Sequence, residues 1–412
     1  MIPSRCPLNP TPDFFHSTKA AMSTTLQRWM KEVTRLTRSG RLAEATQAIQ
    51  NVLGRKAPSA STEKTPAVRS PQLASNARGK DAVPESSPVV RRPPAEEGST
   101  QTGEYSEGGL TRSYLLYLPP IAASRPSGQP MPLVVMLHGC TQDPADFAAG
   151  TDMNTLASEQ GFAVLYPAQA QSANPSRCWN WFKHNHQRRG SGEAAVLAGM
   201  TRAVMDEHSI DPRRVYVAGL SAGGAMAAIL GRAYPDLYAA VGIHSGLASG
   251  AANDLMSALS AMKHGPAVPN SPPATVQSGE PAGTGQGIET SIGPVPTIVF
   301  HGDGDAVVHP GNGDQAIAVA ISPAGGSRSA TTSPIVEVGV SRNGRHYTRT
   351  THPGPAGAPA QAEHWVLHGG GHAWSGGKEH GSYTDPSGPD ATREMWRFFC
   401  AHARPQSPSR AG

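Results

Sequence analysis

Residues 214–228 constrain this chain more than any others. An apolar run, Arg214-Val215-Tyr216-Val217-Ala218, leads into Gly219-Leu220-Ser221-Ala222-Gly223, and that into Gly224-Ala225-Met226-Ala227-Ala228. The first reads as a buried strand, the last as a helix of small residues packed close to its neighbours. A serine between them, with glycine two residues to either side, occupies a turn too sharp for ordinary backbone. The glycines admit neighbouring main chain, and the serine oxygen is left standing above the end of a sheet. Such a turn needs a strand before it and a helix after it.

The rest of the chain supplies that surrounding. Apolar, β-branched runs recur at 113–118, 132–138, 162–166, 214–219, 239–244, 296–301 and 363–368. Helical spacing fills 143–160, 192–208, 221–234, 254–264 and 388–402. A strand apolar throughout, such as Leu133-Val134-Val135-Met136-Leu137, must be covered on both faces. The fold class is therefore α/β, a mostly parallel sheet with helices on both faces. Val336 to Val340 and Tyr347 read as an added hairpin turning at Asn343-Gly344. Ahead of the sheet, residues 24–53 read as a short helical hairpin broken at Ser39-Gly40. It reads as a cap on the main domain, with docking to a partner or an apolar surface as the alternative. Residues 57–103 hold Ser, Pro, Ala and charge without periodicity, the composition of a flexible linker. The expected organisation is a helical segment over 1–56, a linker over 57–103, an α/β catalytic domain over 104–402 and a tail over 403–412. Low-complexity inserts at 265–293 and 322–333 read as surface loops.

A serine hydroxyl near neutral pH needs a histidine base, oriented by a carboxylate. In this chain order the acid and then the histidine should follow the serine. Strand 296–301 runs into His301-Gly302-Asp303-Gly304-Asp305-Ala306-Val307-Val308, where Asp303 and Asp305 compete for the acid. Strand 363–368 runs into His368-Gly369-Gly370-Gly371-His372, where His368 ends the strand and His372 lies in the glycine loop. That position favours His372. The N–H groups of Ala222 and Cys140 are the expected oxyanion donors, the second freed by Gly139. His138 and His301 each close a strand as His-Gly and read as structural, hydrogen-bonded beneath the site. The 16 histidines show no tight metal-ligand spacing, so no metal is expected, and the acyl transfer calls for no cofactor. The 35 Lys and Arg against 31 Asp and Glu, a net of +4, give no case for nucleic acid. No run of apolar residues is long enough to span a membrane.

Five segments together carry a resemblance: LVVMLHGCTQD (133–143), CWNWF (178–182), IDPRRVYVAGLSAGGAMA (210–227), HGDGDAVV (301–308) and GGGHAWSGG (369–377). They resemble the polyhydroxybutyrate depolymerase-type esterases, α/β hydrolases related to feruloyl and acetylxylan esterases, over about residues 105–402. The resemblance implies a serine carboxylester hydrolase with Ser221 as nucleophile, Asp305 as acid and His372 as base. Asp305 occupies the Asp position of the family's HGxxDxxV pattern, and Asp303 one of its variable ones. The substrate implied is a polyester or its oligomers, with feruloyl or acetylxylan esters as the alternative. A non-enzymatic alternative is a granule- or partner-binding scaffold, against which the intact Ser, Asp, His set argues. The family implies an extracellular location. The first residues lack the apolar stretch of a secretory signal, which leaves the cytoplasm as the alternative. Trp374, Trp179 and Trp181 read either as an apolar platform for substrate or as packing under long loops.

A disulfide between Cys140 and Cys178 is expected, since each follows one of two neighbouring strands and sits in a motif of a frequently secreted family. Loop-closure entropy for that separation would stabilise the fold by about 3–4 kcal/mol.

Limited proteolysis is expected to remove residues 1–103 and leave a core near 104–402 that still hydrolyses soluble esters. Loss of that activity on the cut would show that the N-terminal helices belong to the catalytic fold.

Overall fold

Met131 to Leu137 form a strand with every residue buried, and the two-residue period of a strand divides them between two cores. Leu133, Val135 and Leu137 face one core, Val134 and Met136 the other. The sheet is therefore sandwiched between two helical layers, as the sequence requires. The structure, a computed structural model, describes residues 98–120, 130–266, 294–322, 333–355 and 357–405. The hairpin expected over 24–53 and nearly all of the 265–293 insert lie outside the described residues.

In chain order the elements are β1 (Ser99–Glu107), β2 (Leu110–Leu118), β3 (Met131–Leu137), α1 (Pro144–Thr151), α2 (Met153–Gln160) and β4 (Ala163–Pro167). Then come α3 (Gly192–Glu207), β5 (Ile210–Leu220), α4 (Ala222–Ala233), β6 (Ala240–His244), α5 (Leu255–His264), β7 (Thr297–Gly302) and α6 (Gly311–Ala320). The chain closes with β8 (Ile335–Val340), β9 (His346–His352), β10 (Ala362–Leu367), the short β11 (Trp374–Ser375) and β12 (Thr384–Asp385), and α7 (Ala391–Cys400). The main sheet has the order β1-β2-β4-β3-β5-β6-β7-β10-β9-β8. Strands β4, β3, β5, β6, β7 and β10 are parallel, and antiparallel pairs close both edges. Helices α3 to α6 pack on one face; α1, α2 and α7 pack on the other. Among the described residues no helix is long and apolar enough to cross a membrane.

The structure departs from the sequence reading at three places. Residues 99–103, expected to be linker, are strand instead, since β1 pairs with β2 from Ser99↔Leu118 to Glu107↔Leu110, and the rest of 57–103 up to residue 97 lies outside the described residues. Polar residues on both faces of this edge strand hid it. Gly108 and Gly109, both at positive φ, make its hairpin turn. A proteolytic core should accordingly begin ahead of Ser99, not at residue 104. The helix expected over 143–160 is two helices, because Asp152 takes a left-handed conformation with φ 54°. Helix α6 was not expected; it opens on Gly311-Asn312-Gly313, outside the stretches of helical spacing.

One buried carboxylate anchors the long loop between β4 and α3. Glu193, in the first turn of α3, is fully buried and accepts from Arg112 Nη2 at 3.0 Å, Gln169 Nε2 at 2.7 Å, and Asn180 N and Nδ2, each at 2.7 Å. Burial alone would raise its pKa. The donors from His186, Gln169 and Asn180 outweigh burial and lower it to about 2. A depressed carboxylate stabilises the fold above its unfolded pKa, and that contribution is lost as pH falls through the folded value. Glu193 is thus expected to contribute about 3 kcal/mol at neutral pH, fading between the ordinary glutamate range and pH about 2. Denaturant titrations across that window should show this loss in the native protein. Glu193→Gln should flatten that part of the slope while lowering stability throughout, because Arg112 is left buried and unpaired.

Candidate active site

Three of the residues singled out in the sequence leave the same end of the sheet. β5 delivers Ser221, β7 runs into the loop bearing Asp305, and β10 into the loop bearing His372. All three strands are parallel, so the residues gather beyond the strands' carboxyl ends, where open α/β sheets bind ligands.

Ser221 sits at φ 57°, ψ −119°, a conformation that a residue with a side chain adopts only under constraint. The constraint is crowding of main chain. A Cβ on Gly219 would come within 2.6 Å of Leu137 O, and one on Gly223 within 2.0 Å of the same oxygen. Only glycine fits at either place. The Ser221 N–H donates to His244 O at 2.8 Å, tying the turn to β6. Its hydroxyl has no hydrogen-bond partner among the described residues.

The two acids and two histidines that compete in the sequence are paired off. His372 Nδ1 lies 2.7 Å from Asp305 Oδ2, and His368 Nδ1 lies 2.8 Å from Asp303 Oδ2. A carboxylate only accepts, so each Nδ1 carries a proton, and Nε2 of His372 has no hydrogen-bond partner among the described residues. The Asp303–His368 pair is half exposed. It also binds the Gly369 N–H at 2.6 Å, which fixes the root of the glycine loop. The Asp305 side chain is buried, and its Oδ1 accepts from the N–H groups of Val307 and Val308 at 2.8 and 2.9 Å. Burial pushes the Asp305 pKa up. The hydrogen bonds from His301, His372 and Val308 overcome this and hold it far below the ordinary carboxylate range.

The loop after β3 lies against the serine: a Cβ on Gly139 would be 3.6 Å from Ser221 Cβ. Gln142 accepts from the Gly139 N–H at 2.9 Å, and Thr141 N–H donates to Ser176 O at 2.7 Å. The Cys140 N–H between them has no protein acceptor among the described residues, nor has the Ala222 N–H at the start of α4. Cys140 and Cys178 form a disulfide with Cα atoms 4.2 Å apart. Beside it, Trp179 Nε1 donates to His138 O at 3.1 Å.

The three tryptophans do not present open faces. Trp179, Trp181 and Trp374 are 0%, 5% and 1% exposed, so the platform reading fails on their burial and packing accounts for them. Trp374 packs edge-on to Phe147, stacks on His244 and donates to Thr392. The exposed aromatic beside the Cys140 loop is Tyr383, whose hydroxyl meets Thr141 Oγ1 at 3.1 Å. Sequence reasoning missed it, since Ser382-Tyr383 follows no strand or motif. It also missed His244, which ends β6. His244 lies fully buried between Trp374 and Phe300, accepts from Ser375 N–H and meets Ser245 Oγ. Burial, reinforced by His301 and His372, pushes its pKa down to about 3, so it stays neutral under the site. The signal was present, as His244-Ser245-Gly246 repeats the strand-then-His pattern of His138-Gly139 and His301-Gly302. His138 is buried too, its Nδ1 donating to Gly139 O and its Nε2 accepting from Gln169 N–H. Among the described residues no three His, Cys, Asp or Glu side chains are grouped to hold a metal ion.

Residues 112–333 match the family described as esterase PHB depolymerase. The chain is 37% identical over 195 residues to poly(3-hydroxyalkanoate) depolymerase C of Paucimonas lemoignei, covering 47% of this chain and 45% of that protein. It is 30% identical over 156 residues to feruloyl esterase B of Thermothelomyces thermophilus, covering 38% and 51%. The chain thus spans about half the length of these curated relatives. An acetyl xylan esterase structure from Aspergillus awamori aligns with a TM-score of 0.52 at 17% identity, over 74% of this chain and all of that one, which shows the shared α/β-hydrolase fold.

Thiol titration of the denatured, unreduced protein should find two of the four cysteines reactive, Cys6 and Cys400, with Cys140 and Cys178 appearing only after reduction.

Proposed function

Because the chain belongs to the esterase PHB depolymerase family, we propose that it is a serine carboxylester hydrolase acting on polyhydroxyalkanoate esters or their oligomers. The observation that carries this reading is the Asp305–His372 hydrogen bond at the same end of the sheet as the constrained Ser221. In the proposed reaction, Ser221 Oγ attacks the ester carbonyl carbon while His372 Nε2 takes the hydroxyl proton. Asp305 keeps Nδ1 protonated and stabilises the imidazolium formed. The N–H groups of Ala222 and Cys140, which lack protein acceptors, would hold the oxygen on which negative charge develops. The disulfide and the Thr141 to Ser176 bond keep the second donor in place before substrate arrives. Collapse of the tetrahedral species breaks the bond to the alcohol, which leaves with the proton from His372. Water, deprotonated by the same nitrogen, then releases the hydroxy acid and restores Ser221.

The similarity to feruloyl esterase B keeps a phenolic ester as the second reading. The arrangement of domains is part of the same proposal: a catalytic unit from about Gly98 to residue 402, with residues 1–56 as a separate element and the stretch between as linker.

Ser221→Ala should lower hydrolysis of p-nitrophenyl butyrate by at least about 1,000-fold without loss of fold. A fluorophosphonate probe should label the native protein once, at Ser221. Absence of both labelling and hydrolysis would favour the scaffold reading. Side-by-side rates on hydroxybutyrate oligomers and methyl ferulate decide the substrate class, with the oligomers expected to be faster.

A further inference from the structure

Two buried histidines lie behind Asp305, and the proposed acyl transfer uses neither. His301, on β7, is 2% exposed and His364, on β10, 8%. Their strands are adjacent and parallel, and both side chains point to the face covered by α6. His301 Nε2 stands 3.0 Å from Val308 O, which can only accept, so this nitrogen carries the proton. The same Nε2 is 3.5 Å from Asp305 Oδ2, the oxygen that takes the His372 proton at 2.7 Å. His301 Nδ1 has no hydrogen-bond partner among the described residues, and neither has His364 Nε2. Both face Gly313 of α6, where a Cβ would lie 3.1 Å from His301 Nδ1 and 3.0 Å from His364 Nε2.

Buried polar atoms without partners are rare because they are costly. Among the described residues six such side-chain atoms occur, and four of them, His301 Nδ1, His364 Nε2, Asn312 Oδ1 and Gln315 Oε1, lie on α6 or on the strands it covers. A leucine at 301 would leave no orphan and would suit the apolar face. The histidine is therefore explained by what its other nitrogen does.

We infer that His301 is a positioning residue for Asp305: its Nε2–H, shared between Val308 O and Asp305 Oδ2, holds the carboxylate in line with His372 and draws charge from the oxygen they share. The inference rests on the proposed reaction. Gly313, by carrying no side chain, leaves room for the unpartnered Nδ1 against α6 and so lets the ring keep its Nε2–H turned toward Asp305. The groups facing His301 are Asp305 and His372, His244 from β6 and His364 from β10; His352 from β9 and Asp314 from α6 lie beyond His364. Burial pushes the His364 pKa down to about 4, which keeps positive charge away from His301 at neutral pH.

Three variants test this: His301→Leu, which removes the donor, His301→Gln, whose amide places an N–H near the position of Nε2, and Gly313→Ala. With a soluble ester, His301→Leu should lower kcat about tenfold and leave KM within about twofold. It should also move the acidic limb of kcat/KM to higher pH, because an Asp305 relieved of one donor favours the protonated base more strongly. His301→Gln should recover most of kcat and return the limb. In the resting protein, the low-field proton signal of His372 Nδ1–H should shift in His301→Leu and move back in His301→Gln. Should the leucine variant not fold, Gly313→Ala must shift that signal by displacing His301. A folded His301→Leu with native kcat, pH profile and proton signal overturns the inference. So does an unshifted signal in Gly313→Ala. The proton signal needs no substrate. If the native protein hydrolysed no ester, the proposed function would fail while the positioning of Asp305 would still be judged.

Discussion

A carboxylate buried at the end of a strand must find donors for both oxygens or give up its charge. Asp305 finds them in two directions. Its own loop turns back so that the N–H groups of Val307 and Val308 meet one oxygen, and the loops from β7 and β10 bring His301 and His372 to the other. The course of both loops follows from that single group. His309 N–H then reaches back to Met262 O, and Asn312 Nδ2 to Ala261 O, so the place of α5 and the start of α6 also depend on the turn that Asp305 closes. The outer pair, Asp303 and His368, does similar work one step further out. By capturing the Gly369 N–H it fixes where the glycine loop begins and how far it carries His372.

Glu193 plays the corresponding part on the other side of the serine. It draws Arg112 from β2, Gln169 from the end of β4 and Asn180 from the CWNWF segment onto one buried point. The same segment is joined to the loop after β3 by the disulfide and by the Trp179 hydrogen bond. Two buried carboxylates, each depressed by its donors, thus hold the loops on either flank of Ser221, and the sheet supplies the rigid edge between them. Polar groups gathered this way leave little slack, because releasing any one donor strands the rest.

The sheet was legible because its strands are apolar on both faces, which periodicity detects without knowing any partner. Ser221 was legible because its turn is written locally in Gly219 and Gly223. The neighbouring acids and histidines were not separable by spacing, since Asp303 and Asp305, or His368 and His372, differ by a few residues within the same loops. Their pairing is a long-range fact, made by strands that adjoin only in the folded sheet. β1 escaped notice because an edge strand with polar residues on both faces lacks the alternation that reveals a half-buried one. The tryptophans stayed open between two readings for a different reason: large rings near a site suit substrate contact and loop packing alike in sequence, and only the folded loops show them buried. Tyr383, which is exposed, stands in a segment whose shape comes from its partners, Gln142 and Asp146 binding Ser382 and Thr141 binding Tyr383.

The crowding at the serine turn also limits how such a chain can change. Gly219 and Gly223 each press on the carbonyl oxygen of Leu137, with no room for one further carbon. Every amino acid that a single base change can make from a glycine codon carries that carbon. For these two positions the accessible neighbourhood in sequence space is therefore empty, whereas the polar edge strand and the loops beyond it are surrounded by tolerated alternatives. Divergence should accumulate around the turn without entering it, so descendants that come to prefer different esters would retain the same few unchangeable glycines at the centre.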